Sequence, residues 1–276
     1  MTGETILVRP DPEACALTAA ELIATALGDA VAANGTAHWA TTGGSTPAAI
    51  YRHLAVAPLR DAIPWEGVQL WWGDDRFVPS DHPLSNVHVA TSDLLDVGAL
   101  SGQSGTGGSG SDVFAGRTAG APIHAGNVHP IPAGQAIGLG EGPDWAAERY
   151  AVELVAHGPP FVDGFPAFDL VLVGVGPDGH VLSVFPGSTT FDAQEPVLAV
   201  PAPTHVEPHV ERITLHPRIL EVAAVVLVVA HGAAKADTLA DVLGEERDER
   251  RWPAQLARRP GATWILDEAA AARLPR

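Results

Sequence analysis

Apolar residues fall along this chain in short β-branched runs separated by alanine-rich stretches, the alternation expected when buried strands take turns with covering helices. The first apolar run, Ile6–Val8, precedes an alanine-rich stretch, Ala14–Ala33, that reads as a helix with Asp11 or Asp29 near its ends. A strand over Thr36–Ala40 leads through the turn Thr42-Gly43-Gly44-Ser45-Thr46-Pro47 into a helix over Ala48–Leu54. A second strand, Val68–Trp72, ends in Gly73-Asp74-Asp75-Arg76. A third, Leu170–Val173, runs into Gly174-Val175-Gly176-Pro177-Asp178-Gly179-His180, and a fourth, Ala224–Val229, ends in His231-Gly232. Strands alternating with helices predict βαβ units, hence an α/β fold with a mostly parallel, Rossmann-like sheet flanked by helices. The glycine-bearing turns follow strand ends, so they should converge along one edge of that sheet, where open α/β sheets bind ligands.

Residues 101–126 break the rhythm: SGQSGTGGSGSDVFAGRTAGAPIHAG has few side chains able to anchor it and reads as a mobile surface insertion in a single domain spanning 1–276. Its composition favours a passive insertion over a lid. No run of 18 uninterrupted apolar residues occurs, and the N-terminus lacks the basic start and apolar core of a signal peptide, so a soluble, cytoplasmic protein is expected. The single Cys15 excludes an intramolecular disulfide and a cysteine-rich metal site. A formal charge of −17 gives no general attraction for nucleic acid or anionic membranes, and neither is expected as a partner. An anion site would have to be local, which a Debye length of about 8 Å permits.

The turns suggest such a site. Gly43, Gly44, Ser45 and Thr46 offer consecutive backbone N–H groups and two hydroxyls at a helix start, a workable phosphate cradle, although a plain turn with Ser45 or Thr46 as N-cap fits equally well. Arg76 could fork onto a phosphate or neutralise Asp74 or Asp75. Lys235 lies in the first turn of a helix, where a cation is unfavourable unless an anion is bound; Arg212 taken alone reads as a surface residue. His180, at a strand's C-terminal end, is a candidate general base or a packed turn histidine, with Asp75 as a candidate partner. No G-x-S-x-G elbow, H-E-x-x-H metal motif or phosphate-loop motif occurs, which argues against a serine hydrolase, a zinc site or a nucleotide cofactor.

Taken together, Gly43–Pro47, Trp72–Pro79 with Ser85-Asn86, Gly174–Gly187, Arg212–Leu215 and His231–Lys235 resemble the 6-phosphogluconolactonase family in order and spacing. The continuation Ser183-Val184-Phe185-Pro186-Gly187 is similar to the lactonases' Ser-Leu-Phe-Pro-Gly rather than to the Asn-Glu-Pro-Gly of the related glucosamine-6-phosphate deaminases. Asp74-Asp75-Arg76 departs from the usual Asp-Glu-Arg by one methylene, and the glycine-rich stretch exceeds the usual connection. The resemblance implies a smaller packed β-containing lobe beside the main sheet. It implies hydrolysis of 6-phospho-D-glucono-1,5-lactone to 6-phospho-D-gluconate in the oxidative pentose phosphate pathway, without metal or cofactor, by a protein expected to be a monomer. In that scheme the sugar-phosphate lactone is the partner, His180 activates water, and Asp75 and Asp178 support it. The phosphate rests on Gly43, Gly44, Ser45 and Thr46 with Arg76, Arg212 and Lys235. The rival expectations are an amino-sugar-phosphate isomerase or deaminase with Asp75 as base, and a non-catalytic sugar-phosphate sensor.

Overall fold

The computed structural model describes residues 3–95 and 120–275. Its strands are β1 (Thr5–Arg9), β2 (Ala37–Thr41), β3 (Val68–Trp72), β4 (Asp74–Arg76), β5 (Val128–His129), β6 (Phe161–Val162), β7 (Phe165–Pro166), β8 (Leu170–Val173), β9 (Val197–Val200), β10 (Arg212–Leu215), β11 (Val225–Ala230) and β12 (Ala262–Asp267). The α-helices are α1 (Pro12–Asn34), α2 (Ser45–Leu54), α3 (Leu59–Ala62), α4 (Asn86–Asp93), α5 (Ala133–Leu139), α6 (Pro143–His157), α7 (Ile219–Val222) and α8 (Ala236–Val242).

A seven-stranded sheet has the order β1-β12-β11-β8-β2-β3-β5, and its pairings are parallel throughout. Its central strands are apolar on both faces, as parallel strands sandwiched between helices must be; every residue of β8 is buried. Trp39 on β2, Trp71 and Trp72 on β3 and Trp264 on β12 are fully buried. Helix α1 starts where Asp11 accepts a hydrogen bond from Ala14 N at 2.8 Å and ends at Gly35 in the left-handed region (φ 77°). By length and apolarity alone α1 could cross a membrane, but Cys15, Ala19, Ile23 and Leu27 form a one-sided stripe with no exposure, and α1 packs against β12 and β2.

From β2 the chain steps to β3 and β5 on one side, whereas β8, β11 and β12 build outward on the other. The β2–β8 seam is therefore the topological switch point, and the crevice beyond its C-terminal ends is where this class of sheet receives ligands. The turn carrying Gly43–Thr46 follows β2 and the turn carrying His180 follows β8, so the sequence-expected convergence is obtained on adjacent strands.

Three expectations need correction. Asp74–Arg76 is not a turn but β4, an edge of a second, antiparallel sheet ordered β4-β10-β9, which supplies the smaller β-containing unit. The switch between sheets occurs at Gly73, whose N–H donates to Thr41 O and whose carbonyl accepts from Leu215 N. Helix α2 begins at Ser45 rather than Ala48, with Gly44 as its N-cap. Of the glycine-rich stretch, 101–119 lies outside the described residues, but its last part is packed: Ala121 pairs with Leu95 and, like Ile123, is buried. Small size lets Ala121 enter the core where composition suggested only a loop.

Candidate active site

The cradle after β2 depends on Gly44, whose φ of 103° and ψ of −174° are essentially closed to residues with a Cβ. With Gly44 as N-cap no side chain caps α2, so neither Ser45 nor Thr46 plays the capping part open to it from the sequence. The first backbone N–H groups of α2 have no intrahelical acceptor, and they sit at the positive end of its dipole. Thr46 Oγ1 instead hydrogen-bonds His231 Nε2 at 2.8 Å, tying the turn after β2 to the turn after β11.

The small sheet provides two arginines. Side chains alternate along a strand, so Asp74 and Arg76 share one face of β4 while Asp75 points away. In register with them on β10 are Thr214 opposite Asp74 and Arg212 opposite Arg76. Arg212 is 4% exposed, which corrects its surface reading, and it donates Nε to Val210 O (3.1 Å) and Nη2 to Pro208 O (2.8 Å). Burial, and then the neighbouring Arg76, pull Arg212 below the usual guanidinium range. Arg76 donates Nη1 to Leu84 O at 2.7 Å, while its Nε is buried without a partner, as is Asn86 Oδ1. Among the described residues neither arginine, nor Lys235, forms an ion pair with a carboxylate. Like charges directly opposite on a sheet are unfavourable, so the pair can take an anion from outside. Lys235, at the start of α8, donates to Val175 O, and burial lowers its basicity against the opposing pull of Asp178.

His180 follows the Gly174–Gly179 turn, and its backbone carbonyl accepts from Gly176 N at 2.8 Å. Its Nδ1 lies 2.5 Å from Asp178 Oδ1, which also accepts the His180 backbone N–H at 3.2 Å. Asp178 Oδ2 takes His205 Nε2 at 2.9 Å. Burial would raise the Asp178 carboxyl, but hydrogen bonds from His180 and His205 outweigh it and hold it well below the usual carboxylate range. A carboxylate on Nδ1 fixes the tautomer with Nε2 unprotonated, the form a general base requires. His180, Gly43, Gly44, Ser45, Thr46, Arg76, Arg212 and Lys235 all line one pocket of about 260 Å³.

Asp75 is not brought there. It is 1% exposed, and its carboxylate accepts from Arg76 N and Asn86 N at 2.7 Å each and from Ser85 Oγ at 2.9 Å. The carboxylate facing the cleft is Asp74, held by Ser183 Oγ at 2.7 Å and Asn86 Nδ2 at 3.1 Å. The pairing of β4 with β10 separates the two, and nothing in the three residues of β4 alone signals it. Burial pushes the Asp75 carboxyl up from 3.8 to about 6 despite those hydrogen bonds. A group raised in the folded state adds stability below its unfolded pKa and loses it as pH rises through the folded value. An Asp75→Asn variant, which keeps the acceptors for both N–H groups and does not titrate, should gain up to about 3 kcal/mol on the wild type between pH 4 and 7. Denaturant melts at the two pH values check this, and a pH-independent difference rejects it.

The chain is similar to known proteins over nearly its whole length. The family model for glucosamine-6-phosphate isomerases/6-phosphogluconolactonase matches residues 10–265. A 6-phosphogluconolactonase of Streptomyces coelicolor is 34% identical over 277 residues, covering 98% of this chain and 95% of that protein. One from Synechocystis is 30% identical over 253 residues, covering 91% of this chain and 90% of the relative. The crystal structure of 6-phosphogluconolactonase from Leishmania guyanensis superposes with a TM-score of 0.79 at 26% identity, over 99% of both chains. With a sheet of this order, a cleft at its switch point and relatives matched over nearly their whole length, the chain belongs to the glucosamine-6-phosphate isomerase/6-phosphogluconolactonase family.

Proposed function

We propose that the protein hydrolyses 6-phospho-D-glucono-1,5-lactone to 6-phospho-D-gluconate, the lactone-opening step of the oxidative pentose phosphate pathway, with His180 as general base. The observation that carries this is a single one: His180, backed by Asp178, opens onto the same pocket as the α2 N-terminus, Arg76, Arg212 and Lys235. The phosphate sits on the Gly43–Thr46 turn against the three cations, and the lactone ring extends toward His180. His180 Nε2 takes a proton from water as its oxygen attacks C1. The tetrahedral oxyanion then collapses, and the imidazolium returns the proton to the ring oxygen as the C1–O5 bond opens. Asp178 stabilises the imidazolium in between. A lactone is an activated ester, so this needs neither a covalent intermediate nor a metal. We assign the reaction to a cytoplasmic monomer.

The deciding experiment generates the lactone in situ and follows 6-phosphogluconate above the spontaneous rate; no acceleration rejects the reading. Ammonia release from glucosamine 6-phosphate would establish a deaminase instead. Thermal stabilisation by the sugar phosphate without turnover would establish a sensor.

Gly176 makes a further prediction. Its φ is not in the left-handed region, so alanine suits the backbone, but a Cβ there would overlap the His180 ring. Gly176→Ala should therefore stay folded, displace the imidazole and lower kcat by at least about tenfold, since misplacing a catalytic group by an ångström can cost on the order of a hundredfold. A variant with wild-type kcat would mean that the ring is not held where the cleft needs it.

A further inference from the structure

Asp178 is shared between two imidazoles, one of which the proposed reaction does not use. We propose that His205 is a positioning residue for this hydrolysis: it donates Nε2–H to Asp178 Oδ2 and so holds the carboxylate that orients His180. The inference rests on His180 being the base.

Three features support it. The contact joins separate parts of the chain, because His205 lies in the loop between β9 and β10 while Asp178 lies in the turn after β8. That loop is itself fixed: Arg212 donates to Pro208 O and Val210 O, and His209 Nδ1–H donates to Pro203 O at 2.7 Å. Phe185 packs against both imidazoles, with its ring centroid 4.8 Å from His180 and 5.7 Å, edge-on, from His205. A carboxylate held from one side can rotate about its own bonds, taking the His180 Nδ1–H direction with it; a second donor on the other oxygen removes that freedom. The His205 side chain is 51% exposed, so its contact with Asp178 contributes little to folding. Neutral or protonated, His205 can present Nε2–H, and the role does not depend on its charge.

The test uses His205→Ala and His205→Gln in the full chain, glutamine placing an amide N–H near the former Nε2. Steady-state kinetics on the phosphorylated lactone should show kcat reduced about tenfold in His205→Ala with KM within about twofold, and most of the rate restored in His205→Gln. The downfield proton resonance of His180 Nδ1–H should broaden through faster exchange in the alanine variant and stay sharp in the glutamine variant. Unchanged kcat and resonance in His205→Ala overturn the proposal, as do failure of glutamine to restore the rate and a loss confined to KM. If the wild type does not hydrolyse the lactone, the functional reading falls, and the resonance comparison alone decides whether His205 orders the Asp178–His180 pair.

Discussion

Replacing His180 by alanine should lower kcat for the phosphorylated lactone by roughly 10²–10⁴-fold, the range general-base catalysis contributes, while KM moves by no more than about threefold. The separation follows from the architecture. The proposed phosphate contacts come from the α2 N-terminus, β4, β10 and the start of α8, and none of these is supported by the imidazole. The turn itself is held by backbone bonds and by Val181 and Val184, both buried, so the variant should fold. Background hydrolysis of the lactone must be subtracted, because a 10⁴-fold loss brings the enzyme close to it. Free imidazole added to the variant should restore part of the rate by occupying the space left beside Asp178. An unchanged kcat removes His180 from the chemistry, and a KM rising in step with the loss would make it a binding residue instead.

What the sequence could show of this site was local. The run Leu170–Val173 is dense in apolar residues and ends in glycine, so strand and turn are encoded side by side, and the position of His180 followed. The choice between Asp74 and Asp75 was not local. Strand β4 spans three residues, too few to display alternation, and it is a strand only because β10 pairs with it from far along the chain. The same pairing buries Arg212, which looks like any surface arginine until its opposite neighbour is known; only the family resemblance placed it at the phosphate. His205 sits in a loop without periodicity, and its hydrogen bond to Asp178 leaves no trace in spacing.

Arg76→Ala should raise KM for the phosphorylated lactone by about 10–100-fold with a far smaller change in kcat, since each charge-assisted hydrogen bond to phosphate is worth about 1.5–3 kcal/mol. The companion result is less expected: the free variant should be no less thermostable than the wild type. Arg76 faces Arg212 in register, and without a bound anion the two guanidinium groups repel, so removing one relieves the strand pair while it empties the phosphate site. The loss includes the bond from Nη1 to Leu84 O, which offsets part of that relief. Thermal melts with and without inorganic phosphate separate the two effects. Phosphate should raise the wild-type melting temperature through binding to the native state, and raise that of Arg76→Ala much less. Glucono-1,5-lactone lacking the phosphate should be a poor substrate for both proteins, with nearly equal kcat/KM, because the interaction Arg76 provides has nothing to act on. If the wild type uses that lactone as well as the phosphorylated one, the cationic wall formed by Arg76, Arg212 and Lys235 serves some other anion, and the phosphate assignment fails with it.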